Sequence, residues 1–446
     1  MSALDTARSI LEKAAGSAQA EVFLTQSESR TSEWSEGKPE NQFFTQAQGY
    51  GLRLVEQGRL GFASANSFGP DAVDQVIRDA RAALISVSPD ADLVLPEPQA
   101  DKTTQESLDV VDPDLNPRGF AGRAAFLEAL EADIRKRDTR LTKVLRASYR
   151  EGRSTECVVN SRGVAASEEG TFASFSLACV AVQGNETQVG YGFHAARHAR
   201  DVNIAGVVDK TVQQTLALLN GKQVPSGRYD LILDPQVSAE ILDLFAHALR
   251  ADQVQRGKSF LGTKRSAYVG STAVSIIDEP RRKQGLASAR VDAEGQPTRN
   301  RTFVERGILQ DFLYDSVTAR RDGRQESGNA TRASYKSLPE PGVSNFYIRP
   351  GVETPEELIG GVKRGLYIHN VMGLHTVDTI SGDFSLGIMG EFIDKGVRTH
   401  GVRGVTIGGN LLDILMNIDA AGADLTFAGS MGSPTLRVRD ISVGGI

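Results

Sequence analysis

The chain has 446 residues, 40% hydrophobic and 24% charged, with a formal net charge of -6. That length implies about two or three domains with sizeable cores, and the acidic balance argues against a face for polyphosphate, so no direct nucleic-acid partner is expected. Cys157 and Cys179 are too few for a disulfide framework. They fall in segments that read as neighbouring strands, where the sequence leaves their pairing open. The opening Met1-Ser2-Ala3-Leu4-Asp5 lacks the basic and apolar regions of a signal peptide, and no run approaches the roughly 18 apolar residues of a membrane helix. The expectation is a cytoplasmic protein with no membrane partner.

Leu4, Ala7, Leu11, Ala14 and Ala15 share one face of a helix predicted over residues 4–18. Glu21 to Thr25 reads as a strand, and Gly51 to Ser64 as a hairpin turning at Gln57-Gly58. The polar run 26–41 between them reads as a long loop or irregular strand. Pro70-Asp71 opens a helix to about residue 86, with Val73, Val76, Ile77, Ala80 and Leu84 at helical spacing. The proline- and aspartate-rich stretch 87–118 reads as an extended surface connection. A helix follows over about 119–138.

From Leu141 to Val182 the sequence suggests an antiparallel meander of several strands, broken at Glu151-Gly152, Ser161-Arg162-Gly163 and Glu169-Gly170. A helix over about 201–219 closes this half. The pattern breaks at Asn220 to Gly227, which places a domain boundary between 1–222 and 223–446. The second half opens with a strand at Tyr229–Leu233 and a helix over about 235–250, then turns to short strands and glycine. Asn410 is suited to cap a short helix carrying Leu411, Leu412 and Leu415, and Thr435 to Val443 alternates as a half-buried strand. The expected fold class is α+β: an N-terminal domain of helices packed on a mostly antiparallel sheet, then a β-rich, barrel-like or sandwich-like C-terminal domain.

Several stretches carry a resemblance. Gly307-Ile308-Leu309-Gln310-Asp311-Phe312-Leu313-Tyr314-Asp315-Ser316, Ser381-Gly382-Asp383-Phe384-Ser385-Leu386-Gly387, Val405 to Leu415 and Gly432-Ser433-Pro434-Thr435-Leu436 occur in the order seen in the TldD/PmbA metallopeptidase family. Gly51 to Ala63 resembles that family's first hairpin. The family also bears the name modulator of DNA gyrase, and the chain most resembles its TldE/PmbA-like branch.

The resemblance implies a helix that, in the TldD branch, carries His-Glu-x-x-x-His, two zinc ligands and a general base. Here the comparable helix reads Ile241-Leu242-Asp243-Leu244-Phe245-Ala246-His247-Ala248. With His247 as the second histidine, Leu242 stands at the first ligand and Asp243 at the base. The TldD branch also uses a cysteine near its C-terminus, and Phe427 to Pro434 has none. No catalytic, cofactor-binding or metal residue is therefore assigned to this chain; zinc is expected in a catalytic partner.

Other candidates are weaker. His194 and His198 are spaced to share a helix face, but Arg197 and Arg200 would repel a cation. His369, His375 and His400 with Asp378 and Asp383 suggest a composite site, although such residues also populate ordinary turns, and Asp383 suits a turn-shaping role. The cluster Arg281-Arg282-Lys283 reads as a solvated loop. The resemblance implies a non-catalytic subunit that walls a chamber around a TldD-like partner's zinc, acting on unfolded or small peptides as a heterodimer or homodimer. Two alternatives stand beside it: an active hydrolase with an unrecognised His/Asp site, and a peptide-binding protein without proteolytic role.

Overall fold

The computed structural model describes residues 2–101, 107–115, 120–324 and 328–446. Strands β1 (Gln19–Ser35), β2 (Lys38–Glu56), β3 (Arg59–Ala65), β4 (Leu141–Asn160), β5 (Ala165–Gln183) and β6 (Glu186–Ala196) form one antiparallel sheet in the order β3-β2-β1-β4-β5-β6. Helices α1 (Ala3–Ala14), α2 (Pro70–Ile85), α3 (Phe120–Arg137) and α4 (Ile204–Ala217) cover one face of it. Ile10, Val76 and Leu84 meet Val22, Leu52 and Leu54, while Leu127, Ile134, Val208 and Val212 meet Phe175 and Leu177. These are the alternate, inward positions of the strands. Gly190 and Gly192 let α4 lie close on β6, since a Cβ at either would sit 1.8 or 2.0 Å from the Thr215 or Thr211 hydroxyl oxygen.

One expectation for this half is resolved and another changes. Of the two readings of the polar run 26–41, the irregular strand is realised: β1 continues to Ser35 and β2 returns from Lys38, with a register shift at Glu33/Trp34, because backbone pairing holds a strand that is polar in sequence. The meander has fewer, longer strands, with Glu151-Gly152 and Glu169-Gly170 inside β4 and β5. Those glycines mark close approach. A Cβ on Gly152 would lie 2.6 Å from the Glu28 carbonyl oxygen, and one on Gly170 would lie 2.4 Å from the Arg197 guanidinium. Of the three expected breaks, the one around Gly163, at φ 100°, is a turn with a left-handed glycine.

The connection 87–118 falls partly outside the described residues. Its described part has no helix or strand, yet Leu95, Leu108 and Asp112 are buried, so it is a packed strap. Asn160 Nδ2 holds it at the Pro96 carbonyl, 2.9 Å away.

In the second half, Gly227–Leu233, Arg364–Met372, Asp383–Asp394, Val397–Asn410 and Leu436–Gly444 close into a five-stranded barrel. The ring shuts where Thr406 and Ile407 pair with Gly444 and Val443. Of the two expected forms, barrel and sandwich, the barrel is realised. Ile418–Ala421 pairs onto its last strand, and a separate six-stranded sheet of short strands lies alongside, ending in Met431–Ser433 and Thr426–Ala428. The Asn410 side chain accepts from Leu412 N at 3.0 Å and starts the helix Leu411–Met416, as expected.

Candidate functional site

Helix α5 (Pro235–Ala248) follows the first barrel strand. The Asp234 carboxylate accepts from Gln236 N at 3.0 Å and caps it, and Pro235 occupies a first-turn position where no N–H is missed. The same carboxylate takes Lys210 Nζ at 2.7 Å and the Tyr367 hydroxyl at 3.2 Å, which ties the helix to α4 and to the barrel. Val237, Ile241, Leu242, Phe245 and Ala246 are buried in the C-terminal core. The helix lies against Thr426–Ala428 and Met431–Ser433. Tertiary structure thus brings together the two stretches paired in the sequence reading. Their side chains differ in placement: Leu242 is 1% exposed, Asp243 faces solvent and His247 is half-buried. Burial, and then the nearby Arg250, hold the His247 pKa below its ordinary value.

The remaining histidines do not assemble. His194 lies in β6 and His198 in the turn beyond it, so no helix face joins them. The His194 Nδ1 accepts from Asn203 N at 3.3 Å, and His198 Nε2 lies 3.2 Å from the Asp109 carbonyl, pinning the strap. His369 Nε2 meets Glu391 at 2.6 Å inside the barrel wall, with Arg398 on the same carboxylate at 3.3 Å. Burial pushes that carboxyl up, but the His369 and Arg398 contacts win and hold it below its usual range. His375 and Asp378 are exposed around the turn Leu374–Thr376, and His400 stacks on Phe392 at 5.3 Å. Asp378 shapes the following turn by accepting from Ile380 N and Ser381 N, whereas Asp383 receives Ser381 Oγ and Asn410 Nδ2.

Arg281-Arg282-Lys283 is not simply a solvated run. Arg281 bonds Asp101 at 2.7 Å and the Thr298 and Arg290 carbonyls, and Arg282 covers the Phe427 ring at 4.7 Å. The two cysteines are free and buried.

A charged seam between the two halves went unseen in the sequence. Arg53 on β2 meets Glu21 on β1 at 2.7 Å and Glu294 from the C-terminal half at 3.0 Å, and Arg332 reaches Glu21 from the same side. Burial would raise the Glu21 pKa, but Arg53 and Arg332 overcome it and hold the carboxyl ionised. Beside the seam, burial and the neighbouring Glu294 push Asp292 up to about 7 and Asp315 to about 6. Next to it opens a cavity of about 310 Å³, floored by β4 and β5 and roofed by loops from 280–298 and 328–344. No spacing motif signals it, because its residues come from both halves.

The family models for PmbA/TldA metallopeptidase domain 1, central domain and C-terminal domain match residues 20–84, 105–219 and 226–445, in chain order. The chain belongs to the PmbA/TldD metallopeptidase family. A Methanothermobacter thermautotrophicus protein named Metalloprotease is 29% identical over 94% of each chain. Metalloprotease PmbA of Escherichia coli O157:H7 is 24% identical, covering 100% of this chain and 98% of that one. TldE from Thermococcus kodakarensis superposes with a TM-score of 0.90 at 21% identity, covering 100% of both chains, and shows the shared fold.

A metallopeptidase centre needs about three protein donors. Among the described residues, no three His, Cys, Asp or Glu side chains of this PmbA/TldD member are grouped to hold an ion. The residues around α5 therefore do not fit a catalytic metal. No described helix is long and apolar enough to cross a membrane.

Proposed function

We propose that this chain is the non-catalytic, PmbA/TldE-like subunit of a TldD/TldE-type peptidase complex acting on unfolded or small peptides in the cytoplasm. One observation carries the reading: Leu242, where the first metal ligand would stand, is an aliphatic side chain 1% exposed in the core. An alkyl group has no lone pair to offer, and its burial leaves no room for a neighbour to substitute. Zinc and the general base come from a TldD-like partner, and this chain contributes wall and substrate contacts. A homodimer through the same surface is the related assembly, since closed symmetric dimers are the commonest oligomers.

The test has two arms. The purified chain, incubated with zinc and desalted, is expected to retain well under one equivalent and to leave unfolded peptides intact. Mixed with a His-Glu-x-x-x-His relative, it is expected to co-elute and to support cleavage. Stoichiometric zinc in the lone chain, with peptide cleavage lost in His247→Ala or His369→Ala, would overturn the reading in favour of an independent hydrolase. Peptide binding with no association to such a relative would favour a separate binding protein.

A further inference from the structure

The cavity between the halves holds two facing carboxylates, with Arg197 and Arg332 also in its wall. Glu156 on β4 and Glu168 on β5 are directly opposite in the antiparallel register, so both side chains leave the same face of the sheet, the one that floors the cavity. Like charges placed this way repel at close range and weaken the strand pair. Glu168 is bonded by backbone N–H groups, Arg290 N at 3.1 Å and the neighbouring Val291. Among the described residues, none donates a hydrogen bond to the Glu156 carboxylate or forms an ion pair with it. It stands in the cavity's open space, reached by water and walled by protein.

The nearby cations are engaged elsewhere. Arg197 donates to the carbonyls of Gly285 at 2.9 Å, Thr171 at 3.2 Å and Leu286 at 2.6 Å, and Arg332 is held by Glu21. The surrounding protein still raises both carboxyls above their ordinary range; at Glu156 Arg197 and Arg332 oppose that rise without bonding the carboxylate, and Glu168 adds to it. Phe23, Val158, Ala166, Leu286, Val291 and Val343 form an apolar part of the wall, and Asp292, Arg197 and Arg332 with several hydroxyl side chains line it as well. A volume of about 310 Å³ sits at the small end of ligand sites, which run to about 1,000 Å³.

We propose that this cavity binds a primary ammonium group carried on a small, mainly apolar body, and that the amino terminus of a short peptide is its ligand. The ammonium supplies the positive charge and the N–H donors that Glu156 lacks, and the apolar wall takes the first side chains. A divalent metal fits less well: it would require further oxygen donors, and no third His, Cys, Asp or Glu joins the pair among the described residues. The proposal deepens the subunit reading by naming the end of the peptide that is held. It is tested on the lone chain, so it can fail while the zinc and co-elution arms succeed, and the reverse.

Alanyl-alanine amide, its N-acetylated form and N-acetyl-lysine methylamide are titrated calorimetrically into the full chain at neutral pH. The free amine is expected to bind at least ten-fold more tightly than the acetylated dipeptide and more tightly than the lysine derivative. Glu156→Gln and Glu168→Gln are each expected to remove that preference, with melting temperatures no lower than that of the parent because a repulsion is relieved. Equal binding of the free and acetylated dipeptides, no binding of either, or an unchanged preference in both variants overturns the proposal. Tighter binding of the lysine derivative overturns the amino-terminal assignment and gives the site to lysine side chains.

Discussion

Replacing Arg53 with methionine tests how the two halves are joined. The guanidinium lies between Glu21 at 2.7 Å and Glu294 at 3.0 Å, and both carboxylates are almost inaccessible to water. Removing it leaves Glu21 with Arg332 and Glu294 with only the Ser316 amide at 2.8 Å and hydroxyl at 2.7 Å. Breaking a buried ion pair from one side costs about 3–5 kcal/mol, because the abandoned charge stays desolvated. The Arg53 Nε is already without a hydrogen-bond partner, so the native seam is imperfect and the loss should fall near 3 kcal/mol.

Urea unfolding followed by fluorescence suits the measurement. Trp34 is the single tryptophan and lies buried on β1, the strand that carries Glu21. The deficit of the variant has a pH signature. Arg53 is the stronger of the two cations that hold the Glu21 carboxyl below its ordinary value, so its loss lets that carboxyl bind a proton at higher pH in the folded variant than in the folded parent, and a folded state that binds more protons gains stability as pH falls. The deficit should therefore shrink on acidification. The double variant Arg53→Met/Glu294→Gln should recover part of the loss at pH 8. A loss under about 1 kcal/mol at pH 7, or a deficit that grows on acidification, refutes this account of the seam.

Asp278 is fully buried and held by Ser344 and Asn329, and burial pushes its pKa up to about 6. A carboxyl raised in this way costs the folded state stability as pH rises from its ordinary value to its folded one. The stability of Asp278→Asn relative to the parent should thus improve between pH 5 and pH 8 by on the order of 1 kcal/mol; a flat difference in urea melts contradicts it. Gly61→Ala should cost about 1–3 kcal/mol, because the new Cβ would meet the Ala80 carbonyl oxygen of α2 at 2.0 Å; an unchanged melting temperature would show that α2 shifts freely. Burial pushes the thiols of Cys157 and Cys179 up, so both should resist a thiol reagent in the native chain and react promptly in denaturant. Rapid native labelling of either would contradict their packing.

The recurrence of apolar residues at helical spacing in α2 and the alternation in Thr435 to Val443 were legible because each element buries one face and its period is local. The arms of the β1–β2 hairpin were legible only as one of two alternatives, loop or irregular strand. Their stability lies in backbone pairing, which polar side chains do not announce. Gly152 and Gly170 misled because the same residue serves a turn and a close crossing, and only the neighbouring chain distinguishes the two. Glu21, Arg53, Glu294 and Arg332 are far apart in sequence, and each alone reads as a surface charge.

The sequence by itself determined the α+β class, the order of most elements and the family, since these depend on short periodicities and ordered motifs. Tertiary structure decided that the C-terminal strands close into a barrel, that α5 meets the 426–433 strands, and that Glu156 and Glu168 share a cavity. Those outcomes depend on which distant backbones pair and which charges lose their water, and neither is written in the spacing of neighbouring residues.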